Sequence, residues 1–265
     1  MKQFILPAPP DNRGRIRLSG DMYHYLVKVK RFVPGTCFDA RLPSGEAARV
    51  RVCSVEAGCL TGVCLAPSPD SAPDPAMAEV PLPAILLFQA LPKGAKMDLI
   101  LRQAAEGGIG EVVPFYSEFT VPRPGDGEEK KQERWQRILK EARQQSGSPV
   151  ATAVRPPCTE TALGEYWQNL REQYPRALGL LFHQVPLARG TLHGYLSTEP
   201  EVVVITVGPE GGFSPTETAR FLAWGFNPIV IGNTVFRAET AALYAAASVR
   251  AILLEKTSWM LRPVL

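Results

Sequence analysis

The sequence is short of the residues that build disulfide frameworks, zinc ribbons and membrane helices. Its five cysteines are odd in number, and no two stand at a Cys-x-x-Cys spacing. Only three histidines are present, and no apolar run approaches the roughly 20 residues that a membrane helix needs. A lysine followed by prolines stands where a signal peptide would have its apolar core. We therefore expect a cytoplasmic protein with reduced thiols, no metal ion and no membrane segment.

Proline, in contrast, is abundant and unevenly placed. The chain has 25 prolines, and six of them fall between Pro67 and Pro83. Neither a helix nor a central strand tolerates that density, because each proline removes a backbone donor. The stretch therefore predicts a linker at 76–83, between a domain at 1–75 and a larger domain at 84–265.

Positive charge is concentrated in the first predicted domain. Residues 1–75 hold ten Lys and Arg against seven Asp and Glu, whereas the rest of the chain holds nineteen of each. Such a surface favours a polyanion such as RNA through phosphate contacts, and a solvated surface without a partner is the open alternative. The basic residues behind this expectation are Arg13, Arg15, Arg17, Lys28, Lys30 and Arg31.

Short β-type runs dominate this first domain. The runs 50–55 and 60–65 predict strands, a turn at 43–45 separates two strands, and a helix should begin at Ser19 and continue to Lys30. These features predict a small β-barrel-like domain.

After the linker, apolar runs alternate with amphipathic stretches. The predicted strands are 84–90, 111–116, 177–182, 201–207 and 228–231, and the predicted helices are 96–106, 128–145, 161–173 and 215–224. This alternation predicts an α/β domain with a largely parallel sheet and helices on both faces. A last helix, from Arg237 to about Glu255, is apolar on nearly all sides, so we expect it to be buried against the sheet or another subunit.

The segment 202–217 is the first with a chemical signature. An apolar strand is followed by Gly208, Gly211 and Gly212, and then by Ser214 and Glu217 at the spacing of a helix capping box. Glycine permits positive φ angles and lets backbone N–H groups approach a ligand. Because ligands bind at the carboxyl ends of parallel strands, the segment predicts a binding loop, with a tight strand-to-helix connection as the alternative.

A second apolar strand ends at Gly232, and a short loop then brings Arg237, Glu239 and Thr240 to a helix start. Glu239 suits the first turn, because the helix dipole favours an anion there. Arg237 has no such local reason. It is a candidate for binding substrate, and a structural ion pair with Glu239 is the alternative.

Together the two segments resemble the paired signatures of the RsmE-type ribosomal RNA (uracil-N3)-methyltransferases of the SPOUT superfamily. The matching residues are Gly208-Pro209-Glu210-Gly211-Gly212-Phe213-Ser214, Ile231-Gly232 and Phe236-Arg237-Ala238-Glu239-Thr240-Ala241. Further matches lie at 93–97, at 106–109, and at His24 with 29–35. The chain departs from the family at Gln144 and Ser148, where a glutamate and an arginine are common.

The resemblance implies a knotted parallel-sheet SPOUT methyltransferase domain with a C-terminal trefoil knot, preceded by a PUA-like RNA-binding β-barrel. It implies methylation of uridine N3 in small-subunit ribosomal RNA, free or in the small ribosomal subunit, with S-adenosyl-L-methionine as cofactor. A homodimer with the last helix in its interface is also implied. The implied cofactor-binding residues are Leu181, Phe182, Val207, Gly208, Pro209, Glu210, Gly211, Gly212, Ile231, Gly232, Asn233, Val235, Phe236, Thr240 and Ala241. The further RNA-binding residues are His24, Lys93 and Lys96.

The implied reaction sets its own requirements. Uracil N3 must lose a proton while negative charge spreads to the flanking carbonyl oxygens, so a cation or N–H donors there would lower the barrier. We expect Arg237 to stabilise that charge and Glu210 or Glu239 to orient the arginine, and the base that takes the proton stays open. No metal is needed, because the sulfonium of the cofactor already activates the methyl group.

Two other functions compete with this one. A Rossmann-like oxidoreductase would bind a pyrophosphate at Gly208, but apolar residues and Gly232 stand where its acidic ribose-binding residue is expected. A non-catalytic RNA-binding protein would explain the basic first domain and leave both glycine-bearing loops without a role.

Overall fold

The computed structural model describes residues 4–65, 82–125, 128–183, 190–232 and 234–255. The chain divides into two compact units, Met1–Ala78 with Arg143–Ala151, and Glu79–Ala142 with Thr152–Leu265. Most of the predicted linker at 76–83 lies outside the described residues. Each unit is considered by itself below.

The described part of the first unit is built on one five-stranded sheet. Its strands are β1 (Phe4–Ile5), β2 (Arg15–Ser19), β3 (Cys37–Arg41), β4 (Ala47–Glu56) and β5 (Cys59–Leu65). The order is β1-β3-β4-β5-β2, with β1 parallel to β3 and the other pairs antiparallel. In β2 the burial alternates, so that Ile16 and Leu18 enter the core while Arg15 and Arg17 face outward.

The helix expected from Ser19 onward consists of two consecutive segments of different helix type. Its first turn is a short α-helix, α1 (Gly20–Tyr23), and it continues as a π-helix over His24–Val29. The wider turn is seen in the bond from the Lys30 N–H to the Tyr25 carbonyl, five residues back. Stretches of π-helix are rare and occur frequently at functional sites.

Six strands of the second unit form one parallel sheet within the described residues. They are β6 (Ala84–Ala90), β7 (Glu111–Phe115), β8 (Ala153–Val154), β9 (Ala177–Phe182), β10 (Val202–Val207) and β11 (Asn227–Ile229), in the order β11-β9-β10-β6-β7-β8. The helices between and after them are α2 (Lys96–Glu106), α3 (Glu128–Ser146), α4 (Glu160–Gln173), α5 (Leu192–Leu196), α6 (Pro215–Ala223) and α7 (Ala238–Glu255). The predicted parallel α/β sheet is confirmed, and the short elements β8 and α5 are additions to it.

Helices cover both faces of this sheet. Alternate residues of each strand enter opposite cores: Ile85 packs with α2, α3 and α7, whereas Phe88 packs with α4 and α6. All six residues of β10 are buried, as expected for a central parallel strand. Helix α7 is buried only along one side, however, and its Leu243 and Tyr244 are exposed. The expectation that this helix is buried against the sheet is therefore confirmed for one side, through Ala242, Ala245, Val249 and Leu253.

Candidate functional site

Three neighbouring strands end at the same level of the second unit's sheet. Val207 at the end of β10 pairs with Phe182 at the end of β9, and Ile229 of β11 pairs with the same phenylalanine. Because the strands are parallel, the loops that follow them leave the sheet on one edge. The two glycine-bearing segments of the sequence therefore lie side by side.

The loop after β10 is tightly constrained. A Cβ at Gly208 would lie 3.2 Å from the backbone carbon of Gly212, and Gly212 itself has a φ of +71°. The capping box is confirmed: the Ser214 hydroxyl accepts the Glu217 N–H at 3.1 Å, and the Glu217 carboxylate accepts the Ser214 N–H at 2.9 Å. The other oxygen of this buried carboxylate accepts the Glu118 N–H at 2.9 Å.

The loop after β11 turns at Gly232, whose φ is +64°. Its Val235 side chain is 75% exposed, whereas the Phe236 ring stacks on Tyr244 of α7 with 5.0 Å between centroids. The predicted cofactor residue Asn233 lies outside the described residues.

A cavity of about 340 Å³ lies between these loops. The predicted cofactor residues that line it are Phe182, Val207, Gly208, Pro209, Glu210, Gly212, Ile231, Gly232, Val235, Phe236 and Ala241. Its walls are mostly apolar side chains and loop backbone, so a ligand there would be recognised largely through backbone N–H and C=O groups.

Three described residues of the predicted set do not line this cavity. The Leu181 side chain belongs to the core on the α4 and α6 face, because residues alternate along β9. The Cα–H of Gly211 faces Phe119, since a Cβ at Gly211 would lie 3.0 Å from the Cβ of Phe119. Thr240 is exposed on the first turn of α7.

The cavity also contains residues outside the predicted cofactor-binding list, although His183 and Thr234 belong to the segments 181–184 and 231–236 that the resemblance implies for the cofactor. These additional residues are His183, Phe213, Ile229, Val230, Thr234 and Ala238. His183 directly follows Phe182, and its N–H donates to the Ile229 carbonyl at 3.0 Å. The signal that could have identified Ile229 is strand order, since it lies where β11 meets β9.

Two carboxylates and a lysine form an ionic cluster beside the cavity. The Lys96 ammonium lies 2.6 Å from the Glu210 carboxylate and 3.7 Å from that of Glu239. The backbone N–H of Lys93 donates to Glu210 at 3.1 Å. Burial opposes ionisation of Glu210, but the ammonium and the N–H groups of Glu210 and Lys93 outweigh it and lower the pKa of this carboxyl.

The pKa of Lys96 shifts in the opposite direction. Its hydrogen bond to Glu210 raises the pKa of the Lys96 ammonium, whereas desolvation and the nearby positive charge of Arg237 work against that rise. The Arg237 side chain is exposed, and its guanidinium makes no hydrogen bond or ion pair with any residue in the described ranges. The alternative in which Arg237 is held by Glu239 thus has no contact to support it.

In the first unit, the predicted RNA-binding side chains are all exposed. Arg15 and Arg17 of β2 border a cavity of about 630 Å³ together with Thr61 and Gly62. The Arg17 guanidinium donates to the Cys59 sulfur at 3.1 Å, which holds it against the sheet.

The π-helix carries the remaining basic groups of this unit. His24 and Lys28 lie within it, and Lys30 follows with its ammonium 5.9 Å from the centre of the Tyr25 ring. Arg31 has a φ of +58°, a left-handed conformation that an L-residue other than glycine rarely adopts. Such local strain is most often retained at functional sites.

Within the described ranges, no group of three or more His, Cys, Asp or Glu side chains could hold a metal ion. No helix in the same ranges has the length and apolar character that crossing a bilayer requires.

Comparisons with known proteins point to one family. The model of the family described as RNA methyltransferase domain matches residues 78–250. Ribosomal RNA small subunit methyltransferase E of Synechocystis is 36% identical over 177 residues, which cover 66% of this chain and 55% of that protein. The Bacillus subtilis protein of the same name is 24% identical over 254 residues, 94% of this chain and 92% of that protein.

A solved structure gives the same result. The ribosomal RNA small subunit methyltransferase E of Neisseria gonorrhoeae, bound to S-adenosyl methionine, matches with a TM-score of 0.75 and 25% identity. The match covers 95% of this chain and 98% of that one.

Proposed function

The chain belongs to the RNA methyltransferase domain family, and on that premise we propose that it methylates N3 of a uridine in small-subunit ribosomal RNA. The methyl donor in this proposal is S-adenosyl-L-methionine. The observation that carries the proposal is the cavity between the two glycine-bearing loops, at the carboxyl ends of β9, β10 and β11.

The residues present fit this cofactor. A cavity of about 340 Å³ is within the range of about 300–1,000 Å³ typical of small-molecule sites. Loop backbone from 207–212, 231–232 and 234–236 offers hydrogen-bonding groups for an adenine, and Phe182 and Phe236 offer apolar surface. In the Neisseria relative, whose structure matches over nearly its whole length, S-adenosyl methionine is bound.

We assign the chemical step to the residues beside this cavity. When bound, the cofactor supplies a methyl group activated by its sulfonium. The Arg237 guanidinium stabilises negative charge on the uracil oxygens as N3 loses its proton. Glu210 and Glu239 orient the charged groups around the Arg237 guanidinium. Lys96 already lies between these two carboxylates.

The first unit is assigned to RNA binding, as a PUA-like barrel in the cytoplasm. Support comes from the outward arginines of β2, from the basic π-helix and from the strained Arg31 next to it. In the second unit we add the exposed Lys93. The trefoil knot is likewise part of the proposal, because members of the SPOUT superfamily share it.

A homodimer completes the proposal, with α7 in the interface. The support is the side of α7 that its own chain leaves exposed at Leu243 and Tyr244. An apolar cavity of about 260 Å³ between α2 and α7 adds a surface that a second copy could fill. Sedimentation of wild-type protein and of Leu243→Glu tests this, because a buried carboxylate should shift the dimer toward monomer.

The function itself is tested by labelled methyl transfer. Purified protein is incubated with small-subunit ribosomal RNA and methyl-labelled S-adenosylmethionine, and the RNA is digested to nucleosides for mass spectrometry. We expect the label in 3-methyluridine. RNA binding without any transfer would indicate a non-catalytic RNA-binding protein, and label in another nucleoside would contradict the assigned acceptor.

A further inference from the structure

Lys96 occupies a position that local electrostatics disfavours. It is the first residue of α2, where the partial positive charge of the helix dipole repels a cation. Gly94, with a φ of +63°, makes the turn that precedes it. A lysine here needs a reason outside its own helix.

The reason lies in two carboxylates that are distant in sequence. Glu210 belongs to the loop after β10 and Glu239 to the first turn of α7, so Lys96 connects that loop to the start of α7 beside the cavity. The Glu239 side chain is only 13% exposed, and its Oε2 has no hydrogen-bond partner among the described residues. The Lys96 ammonium at 3.7 Å is therefore the charge that balances this carboxylate.

This arrangement has a consequence for Arg237. It lies two residues before Glu239, close enough for its charge to affect Lys96, and it has no ion pair with a described residue. Without Lys96, the buried carboxylate of Glu239 would have Arg237 as its nearest source of positive charge on the same segment. Lys96 thus leaves the Arg237 guanidinium available to contact the substrate.

We infer that Lys96 is a positioning residue for methyl transfer: it binds Glu210 and Glu239 so that Arg237 stays free to contact the acceptor base. The inference rests on the proposed function and gives Lys96 a role other than the phosphate contact suggested by its charge. Lys93 provides the matched comparison. Its side chain is exposed, and its contact with Glu210 uses only the backbone N–H, which substitution retains.

The experiment compares Lys96→Met with Lys93→Met in the full chain. Single-turnover methylation is measured at saturating RNA and S-adenosylmethionine, and RNA affinity is measured over a range of salt concentrations. We expect Lys96→Met to slow single turnover about tenfold or more, below the 10²–10³ loss typical of removing a charge-stabilising donor itself. Lys93→Met should weaken RNA binding and leave the rate at saturation much less affected.

A second carboxylate substitution makes the test specific. In Lys96→Met/Glu239→Gln the amide has no charge with which to bind Arg237, so the double variant should be faster than Lys96→Met, and it should stay slower than wild type because the orienting carboxylate of Glu239 is gone. Lys96→Gln is the second variant if Lys96→Met fails to fold, with the same expected loss and rescue. Thermal unfolding of every variant identifies losses caused by instability alone.

The outcomes separate the inference from the function on which it rests. An active wild type whose Lys96→Met variant keeps its rate and loses only salt-dependent RNA affinity would overturn the inference alone. A double variant as slow as Lys96→Met would also overturn it. A wild type that binds both ligands and transfers no methyl group would refute the proposed function, and the inference with it.

Discussion

Glu217 accepts hydrogen bonds that support the first glycine-bearing loop, and its substitution should lower the free energy of unfolding. Its two carboxylate oxygens accept different backbone N–H groups, from Glu118 and from Ser214, each at 2.9 Å, and the residue is only 2% exposed. A hydrogen bond to a charged group contributes about 1.5–3 kcal/mol. Glu217→Ala leaves both donors without an acceptor, so the free energy of unfolding should fall by about 3–6 kcal/mol.

Glu217→Gln should cause a smaller loss in the free energy of unfolding than Glu217→Ala. The amide keeps one carbonyl oxygen, which serves one donor, so the expected loss is about half, or roughly 1.5–3 kcal/mol. The loop 208–212 ends two residues before Ser214, so S-adenosylmethionine should bind more weakly to the glutamine variant even where it is folded. Urea denaturation gives the first quantity and calorimetric titration the second.

Thr216→Ala is the control for both measurements. Thr216 is exposed on the same first turn of α6, and surface substitutions of this kind usually stay within about 0.5 kcal/mol. The reasoning is refuted if Glu217→Ala unfolds as close to wild type as this control does.

Three further predictions address catalysis, RNA binding and pH. Arg237→Lys should lower single turnover by on the order of 10²–10³ with little change in thermal stability, because lysine keeps the charge and loses the planar fork of donors. Replacing Arg15 and Arg17 by glutamine should make the slope of log affinity against log salt shallower by about 1.4–1.8, because two phosphate contacts are lost. Burial and hydrogen bonds to carboxylates raise the pKa of Tyr116 and Tyr166 to about 12, against about 10 in the unfolded chain. The contribution of these two hydroxyls to stability is therefore complete below pH 10 and is lost as the pH rises to 12. Tyrosinate absorbance should rise over the same pH range.

Each of these has a result that would contradict it. Near-normal turnover in Arg237→Lys would remove this arginine from the catalytic residues. Arg51, exposed on β4, is the control for the salt slope, and an equal change in Arg51→Gln would mean that β2 has no special role. Ionisation of both tyrosines near pH 10 in the folded protein would show that their hydroxyls are not held as described.

The local features of this fold could be predicted from the sequence because they depend on interactions between residues that are close in sequence. The capping box at Ser214 and Glu217 needs only residues three apart, and the α2 boundaries follow from an apolar stripe that begins after a glycine turn. The apolar run of β10 marks a central strand for the same reason. In each case the deciding contacts lie within a few residues of one another.

Other features depend on contacts that no local pattern contains. Lys96 and Glu210 are 114 residues apart, so a basic residue that suggested phosphate binding instead connects the loop after β10 to the start of α7. Ile229 enters the cavity because β11 pairs with β9, an order that the sequence does not specify. The π-helix at His24 replaces a predicted α-helix whose residues suit either form.

The central claim is that the cavity between the two glycine-bearing loops binds S-adenosylmethionine. Calorimetric titration of wild type and Gly208→Val tests it most directly, because a Cβ at this position would lie 3.2 Å from the Gly212 backbone, whose N–H donates to the Pro209 carbonyl at 2.9 Å. Gly211→Val is a less direct test, since its side chain would meet Phe119 and not the cavity. We predict that wild type binds the cofactor and that folded Gly208→Val does not. Equal binding by both proteins would contradict the assignment of this cavity.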